Sequence, residues 1–262
     1  DYFYSKIYRN INRPHHYDDY YKKYSYLDNI NLDYLSYLTT NIDFNKINAI
    51  LDFGAGIGNL GYSIKKYFNH IKLYSIESDE HCLETLKDRG YKNWTNFEEI
   101  NIKFDLIISL HSLEHLTDLN PLHKLNTLLN NDGYLFIEVP NCDFDNGYKQ
   151  RVFDSPHLLF FNKKNLENIF LNMKLKKINL IYSSYSIEND IQNQHASKLE
   201  FSKLNIFKKF FKILKKYSPL FILKILRIYY KLKVIHNSDV LKWHVHSFKN
   251  TRCLRSLLQK KS

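Results

Sequence analysis

Leu51-Asp52-Phe53-Gly54-Ala55-Gly56-Ile57-Gly58 is the stretch on which the reading of the fold turns. Ala49 to Phe53 is a short apolar run that ends in three glycines, and Leu60 to Phe68 then carries apolar residues at helical spacing. A strand, a glycine turn and a helix therefore follow one another. Glycine has no Cβ, so such a turn lets a ligand come close to the backbone.

Outward from this point the same alternation continues. Ile71 to Ile76 reads as a strand, Glu80 to Arg89 as a helix stopped by Gly90, and Phe104 to Leu110 as an apolar strand. Leu119 to Leu129 is predicted as a helix ended by a turn at Asn130-Asn131-Asp132-Gly133. Tyr134 to Val139 is then a strand closed by Pro140. Asn165 to Asn172 is a further predicted helix, Lys176 to Ile187 a late strand and Val240 to Phe248 a final one. Strands that alternate with helices pair in parallel, and ligands bind beyond their carboxyl ends.

A glycine trio suits several nucleotide ligands, including a dinucleotide whose pyrophosphate sits on the helix N-terminus. Two carboxylates narrow the choice. Asp52 stands directly before the turn, where it suits a ligand carrying an ammonium and a sulfonium better than an anionic pyrophosphate. Glu77 ends the second strand, where it can accept hydrogen bonds from both hydroxyls of a ribose.

The chain here resembles the class I S-adenosylmethionine (AdoMet) dependent methyltransferases, in particular the small-molecule group that includes ubiquinone and surface-sugar enzymes. The resemblance runs over about residues 48–180 and rests on six blocks in family order. They are Leu51 to Gly58, Ile76 to Asp79, Phe104 to Ser109, Leu113 to Leu116, Asn131 to Asn141 and Pro156 to Phe161. It implies an α/β, Rossmann-like, seven-stranded and mostly parallel sheet flanked by helices, with AdoMet as cofactor. By resemblance, Asp52, Gly54, Ala55, Gly56 and Gly58 form the cofactor turn, Glu77 and Ser78 hold the ribose side, and Leu110 with His111 borders the methionine and the acceptor. The family often has an acidic residue after the third strand for the adenine amine. This chain has Trp94-Thr95-Asn96-Phe97-Glu98-Glu99 there, so Asn96 or Glu98 is the candidate.

Methyl transfer is a displacement that needs alignment and exclusion of water, and a hydroxyl acceptor also needs a positioned base. His111, His115 and His157 fall at the predicted active rim and are the catalytic candidates, each of which could equally be structural. His111-Ser112-Leu113-Glu114-His115 also spells H-x-x-E-H, a zinc-peptidase signature, but it follows a buried strand and is soon interrupted by Asp118 and Pro121. No metal is expected.

Residues 1–45 form a predicted helical cap rich in Tyr and Asp, 46–196 the cofactor-binding core, and 197–235 a helical hairpin. Residues 236–262 supply the final strand and a tail. The net charge of +11 is concentrated between Lys203 and Lys233, which hold ten Lys or Arg and no Asp or Glu. Phe207, Phe210, Phe211, Leu214 and Tyr217 share one helical face there, with Lys208, Lys212 and Lys215 on another. An anionic acceptor or peripheral membrane contact through 203–233 is the corresponding expectation, and no specific nucleic acid is expected. Cys82, Cys142 and Cys253 are too dispersed for a disulfide framework, and no apolar run is long enough to span a bilayer, so a cytoplasmic protein is expected. The predicted acceptor is a hydroxyl of a sugar or nucleotide-linked sugar of capsule or lipopolysaccharide assembly. Phosphoramidate, quinone-precursor and RNA acceptors are the alternatives, as is a non-catalytic AdoMet- or nucleotide-binding scaffold.

Overall fold

The computed structural model describes residues 29–144, 157–183 and 253–261. Seven strands lie in the order β3-β2-β1-β4-β5-β7-β6. They are β1 (Ala49–Phe53), β2 (Lys72–Ile76), β3 (Tyr91–Trp94), β4 (Phe104–Leu110), β5 (Leu129–Pro140), β6 (Leu175–Ser183) and β7 (Cys253–Lys260). The first five pair in parallel, and β7 runs antiparallel between β5 and β6. This is the mostly parallel Rossmann-like sheet that the sequence implies.

Among the described residues five helices cover the sheet: α1 (Asn29–Asn41), α2 (Asn59–Tyr67), α3 (Glu80–Asp88), α4 (Asn120–Leu128) and α5 (Lys163–Asn172). Successive side chains of a strand point to opposite faces, and the core divides accordingly. Ile50, Leu106, Ile108 and Phe136 pack with Leu35 and Leu38 of α1, Leu60 and Ile64 of α2 and Leu86 of α3. Leu51, Ile107, Leu135 and Ile137 pack with Leu122 and Leu125 of α4 and Leu166 and Phe170 of α5. The chain order reverses about β1, whose neighbours are β2 and β4. That reversal opens a crevice at the carboxyl ends of β1 and β4.

Two expectations shift. The predicted turn at Asn130 to Gly133 is instead the opening of β5, because Leu129 pairs with Phe104 and the register slips between Phe104 and Leu106. Asp132 takes a positive φ of 60° within it, so the slip is absorbed in the strand. Of the predicted late strand, the part up to Ser183 is present as β6, and residues 184–187 lie outside the described residues. The seventh strand is Cys253–Lys260, C-terminal to the predicted final strand and within the predicted tail. The stretch 240–248, the 197–235 hairpin and the first 28 residues of the cap lie outside the described residues.

Candidate functional site

The glycine turn is shaped by three left-handed residues with different neighbours. Gly54, Gly56 and Gly58 have φ of 68°, 53° and 69°. A Cβ on Gly54 would lie 2.2 Å from Ser112 Oγ, and one on Gly58 would lie 2.6 Å from the Tyr91 ring. At Gly56 the same atom would meet nothing within 4 Å among the described residues. Gly54 and Gly58 are therefore glycines for the protein's own packing, whereas Gly56 borders open space beside a backbone that a ligand can approach. Arg89 fastens the far side of the turn, donating to the Ile57 carbonyl at 2.6 Å and to Asn59 Oδ1 at 2.7 Å.

Two carboxylates flank the opening. Asp52 is buried at the end of β1, with Tyr91 Oη 3.4 Å from its Oδ2. Burial pushes its pKa up to about 7 against the pull of the Tyr91 hydroxyl, with Glu77 adding to the rise. Glu77, just past β2, accepts from Gly56 N–H at 2.7 Å and from Asp79 N–H at 2.8 Å. Burial raises its pKa as well, and those backbone donors oppose the rise. Each oxygen keeps a further lone pair for a ligand hydroxyl.

Ala55 is half-buried in the turn and Ser78 is exposed after Glu77. Asn96 is exposed and donates to Glu99 Oε1 at 2.6 Å. Glu98 pairs with Lys124 at 2.7 Å. A residue that the sequence reading passed over, Asn93 of β3, accepts from Ser75 Oγ at 2.7 Å and donates to the Glu77 carbonyl at 3.1 Å. The parallel register that sets Ser75 opposite Asn93 is what brings it there.

Beyond Leu110 at the end of β4 the chain enters a cluster of ionisable side chains. His111 has a φ of 52°, with Nε2 3.3 Å from Glu138 Oε1 and Nδ1 3.6 Å from Glu114 Oε1. Burial opposes its charge, yet the Cys253 thiol, Glu114 and Glu138 together hold its pKa well above the ordinary histidine value. Burial pushes that thiol up to about 11, so it is neutral near pH 7 and the two carboxylates carry the effect there. A ring with a carboxylate at each nitrogen is an imidazolium, a poor proton acceptor.

Glu138 is the centre of this cluster. Arg255 Nε donates to its Oε2 at 2.6 Å and Ser183 Oγ to the same oxygen at 2.8 Å, while the Tyr34 hydroxyl donates to Oε1. Burial would raise the Glu138 pKa, but Arg255 and His111 bring it down to about 2. Arg255 also donates to Asp33 Oδ2 at 2.8 Å and lies 4.5 Å over the Tyr34 ring, so β7 ties α1 to the end of β5. None of these partners was read as a site residue from the sequence. The signal was present, since Glu138 and Arg255 each interrupt an apolar run.

His115 and His157 stand together, ring centroids 4.9 Å apart. His115 ends a short 3-10 turn (Leu113–His115), and the Leu158 and Leu159 amides donate to the Glu114 carbonyl at 2.7 and 3.0 Å. Burial lowers the pKa of His157, with the neighbouring His115 adding to the decrease. The 3-10 turn also removes the peptidase reading. That signature needs both histidines on one face of a helix, whereas here His111 turns to Glu138 and His115 to His157.

The model of a family described as a methyltransferase domain matches residues 23–180. An uncharacterized protein of Methanocaldococcus jannaschii is 29% identical over 122 residues, 45% of this chain and 52% of that protein. The chain thus spans about half the length of that curated relative. Among solved structures, the plantazolicin methyltransferase BpumL with S-adenosylhomocysteine (AdoHcy) superposes with a TM-score of 0.58 at 14% identity, covering 100% of this chain and 93% of that one. Phosphoethanolamine N-methyltransferase 2 of Haemonchus contortus with AdoMet gives 0.55 at 14%, covering 88% and 53%. An AdoMet-dependent methyltransferase of Archaeoglobus fulgidus gives 0.52 at 15%, covering 87% and 93%.

Proposed function

The chain belongs to the methyltransferase domain family, and from that premise we propose that it binds AdoMet at the glycine turn and transfers the methyl group to a hydroxyl of a small acceptor. The observation that carries the reading is Gly56, open to space between the carboxylates of Asp52 and Glu77. A pyrophosphate would meet negative charge there and would find the Gly56 N–H already given to Glu77. AdoMet, when bound, supplies an activated methyl on a sulfonium. Asp52 then faces the ammonium side, Glu77 the ribose, and Leu110 and His111 the boundary with the acceptor. Calorimetry with AdoMet, AdoHcy and NADH tests the assignment, and binding of NADH in place of AdoMet overturns it.

Asp52 gives the site a pH dependence with a fixed sign. Its pKa in the free protein is about 7, and a cationic ligand favours the ionised form. AdoMet affinity is therefore expected to fall as pH drops through 7, approaching tenfold per pH unit below it. Asp52→Asn should bind more weakly at pH 8 and lose that slope. Equal slopes in the two proteins between pH 5.5 and 7.5 would remove Asp52 from the ammonium contact.

On the acceptor side His111 is held as an imidazolium by Glu138 and Glu114, so His115 and His157 are the histidines proposed to face a hydroxyl. His157→Ala is expected to lower turnover at least about 100-fold while AdoHcy binding stays intact. Undiminished turnover would leave alignment as the sole catalytic device.

Family resemblance and the cationic 203–233 segment support a sugar or nucleotide-linked sugar acceptor of capsule or lipopolysaccharide assembly. The neighbours named above act on unlike acceptors, a phosphoethanolamine and plantazolicin precursors. A screen of sugar nucleotides against AdoMet consumption is the direct test. No helix among the described residues is long and apolar enough to cross a membrane. Vesicle flotation with anionic lipid tests surface contact through 203–233.

A further inference from the structure

Glu114, His115 and His157 each offer one ligand atom, and these atoms all lie within 4.8 Å of one another. Two neighbouring histidines alone require no ion. Glu114 makes the difference: it is 1% exposed, its Oε1 lies 3.6 Å from His111, and its Oε2 is buried without a hydrogen-bond partner. A buried carboxylate oxygen in that state is costly, and a cation is the ligand that relieves it.

From this geometry we propose that Glu114, His115 and His157 form a binding site for one divalent first-row transition metal ion, a deepening that rests on the acceptor-side reading above. Two histidines and one carboxylate suit Mn²⁺, Fe²⁺, Co²⁺ or Zn²⁺ and leave coordination positions open. Ligand atoms about 2.1 Å from a common ion stand roughly 3.0–4.2 Å apart, so three atoms within 4.8 Å of one another are close to a coordinating arrangement. The backbone already holds them in register through the Leu158 and Leu159 amides on the Glu114 carbonyl.

A second trio, His111, Glu138 and Cys253, meets the same distance limit. It is not the better site, because the Glu138 oxygens already accept from Tyr34, Ser183 and Arg255. An acceptor hydroxyl entering an open position of the proposed ion would give its proton to water and keep both O–H electrons on oxygen, ready for methyl transfer.

The test uses the full chain, stripped with chelator and dialysed against Co²⁺ or Mn²⁺, with metal content, visible absorption and AdoHcy calorimetry measured on one sample. One equivalent of Co²⁺ with ligand-field absorption is expected. His157→Asn and Glu114→Gln should each weaken Co²⁺ at least about 100-fold, beyond the 10- to 100-fold typical of losing an outer partner. If Glu114→Gln does not fold, His115→Asn takes its place. Absence of a stoichiometric ion, or unchanged affinity in the folded variants, overturns the site. AdoHcy binding without metal defeats only this inference, and metal binding without AdoHcy defeats only the cofactor reading.

Discussion

Glu77→Ala is expected to raise the AdoMet dissociation constant at least about 100-fold. If both oxygens bond a ribose hydroxyl, the variant loses two charge-assisted hydrogen bonds of roughly 1.5–3 kcal/mol each, and every 1.4 kcal/mol is tenfold. The same carboxylate holds the Gly56 and Asp79 amides, at 2.7 and 2.8 Å. Its removal frees the turn as well as the ligand, so the effect should exceed that of the ribose contacts alone. Calorimetry on wild type and variant measures it, with thermal melting to confirm that both are folded. Affinity unchanged in a folded Glu77→Ala protein would end the cofactor assignment at this position.

Arg255→Ala should cost about 3–5 kcal/mol of stability, since it strands the Glu138 carboxylate in the interior. That corresponds to a fall in Tm of roughly 6–20 °C for a domain of this size. The pH dependence follows from the depressed Glu138 pKa of about 2. A carboxylate held below its unfolded value of about 4.5 stabilises the fold fully above that value and loses the contribution as pH falls toward 2. The gap between wild type and variant should therefore be widest near neutrality and narrow in acid. Adding Glu138→Leu to Arg255→Met should recover part of the loss, because it removes the buried Glu138 carboxylate that the single variant leaves without its arginine. A double variant no better than the sum of the singles would show that the ion pair is not what Arg255 contributes.

The cofactor half of the site was legible in the sequence because its parts are local. Asp52, the three glycines and Glu77 sit at the ends of two adjacent parallel strands, and strand ends can be read from hydrophobic runs. The role of Gly56 as the open glycine was not legible, since it depends on what Ser112 and Tyr91 fill around Gly54 and Gly58. On the acceptor side the histidines were visible but their protonation was not. Whether His111 is a base or an imidazolium is decided by Glu138, which lies 27 positions away. The partners of Glu138 lie farther still, with Arg255 117 positions along the chain. Strand β7 escaped for a related reason: Arg255 and Ser256 break its apolar pattern, and only the buried carboxylate opposite accounts for an arginine there. Asn130 to Gly133 misled because Asn, Asp and Gly favour turns, while the structure spends them on a register slip inside a strand.

The placement of β7 between β5 and β6 sets the order in which the nascent chain can be completed. Arg255 meets Glu138 across 117 positions and Asp33 across 222. At roughly 5–20 residues per second, β5 waits about 6–23 s on the ribosome before its neighbour exists. During that interval Leu135, Phe136, Ile137 and Val139 flank an open strand edge, the kind of surface that pairs with the wrong chain. Contacts of such separation also make refolding slow. A chain cut short before Cys253 would keep every cofactor residue and still lack the strand that closes its sheet, so it would be expected to aggregate rather than to bind weakly.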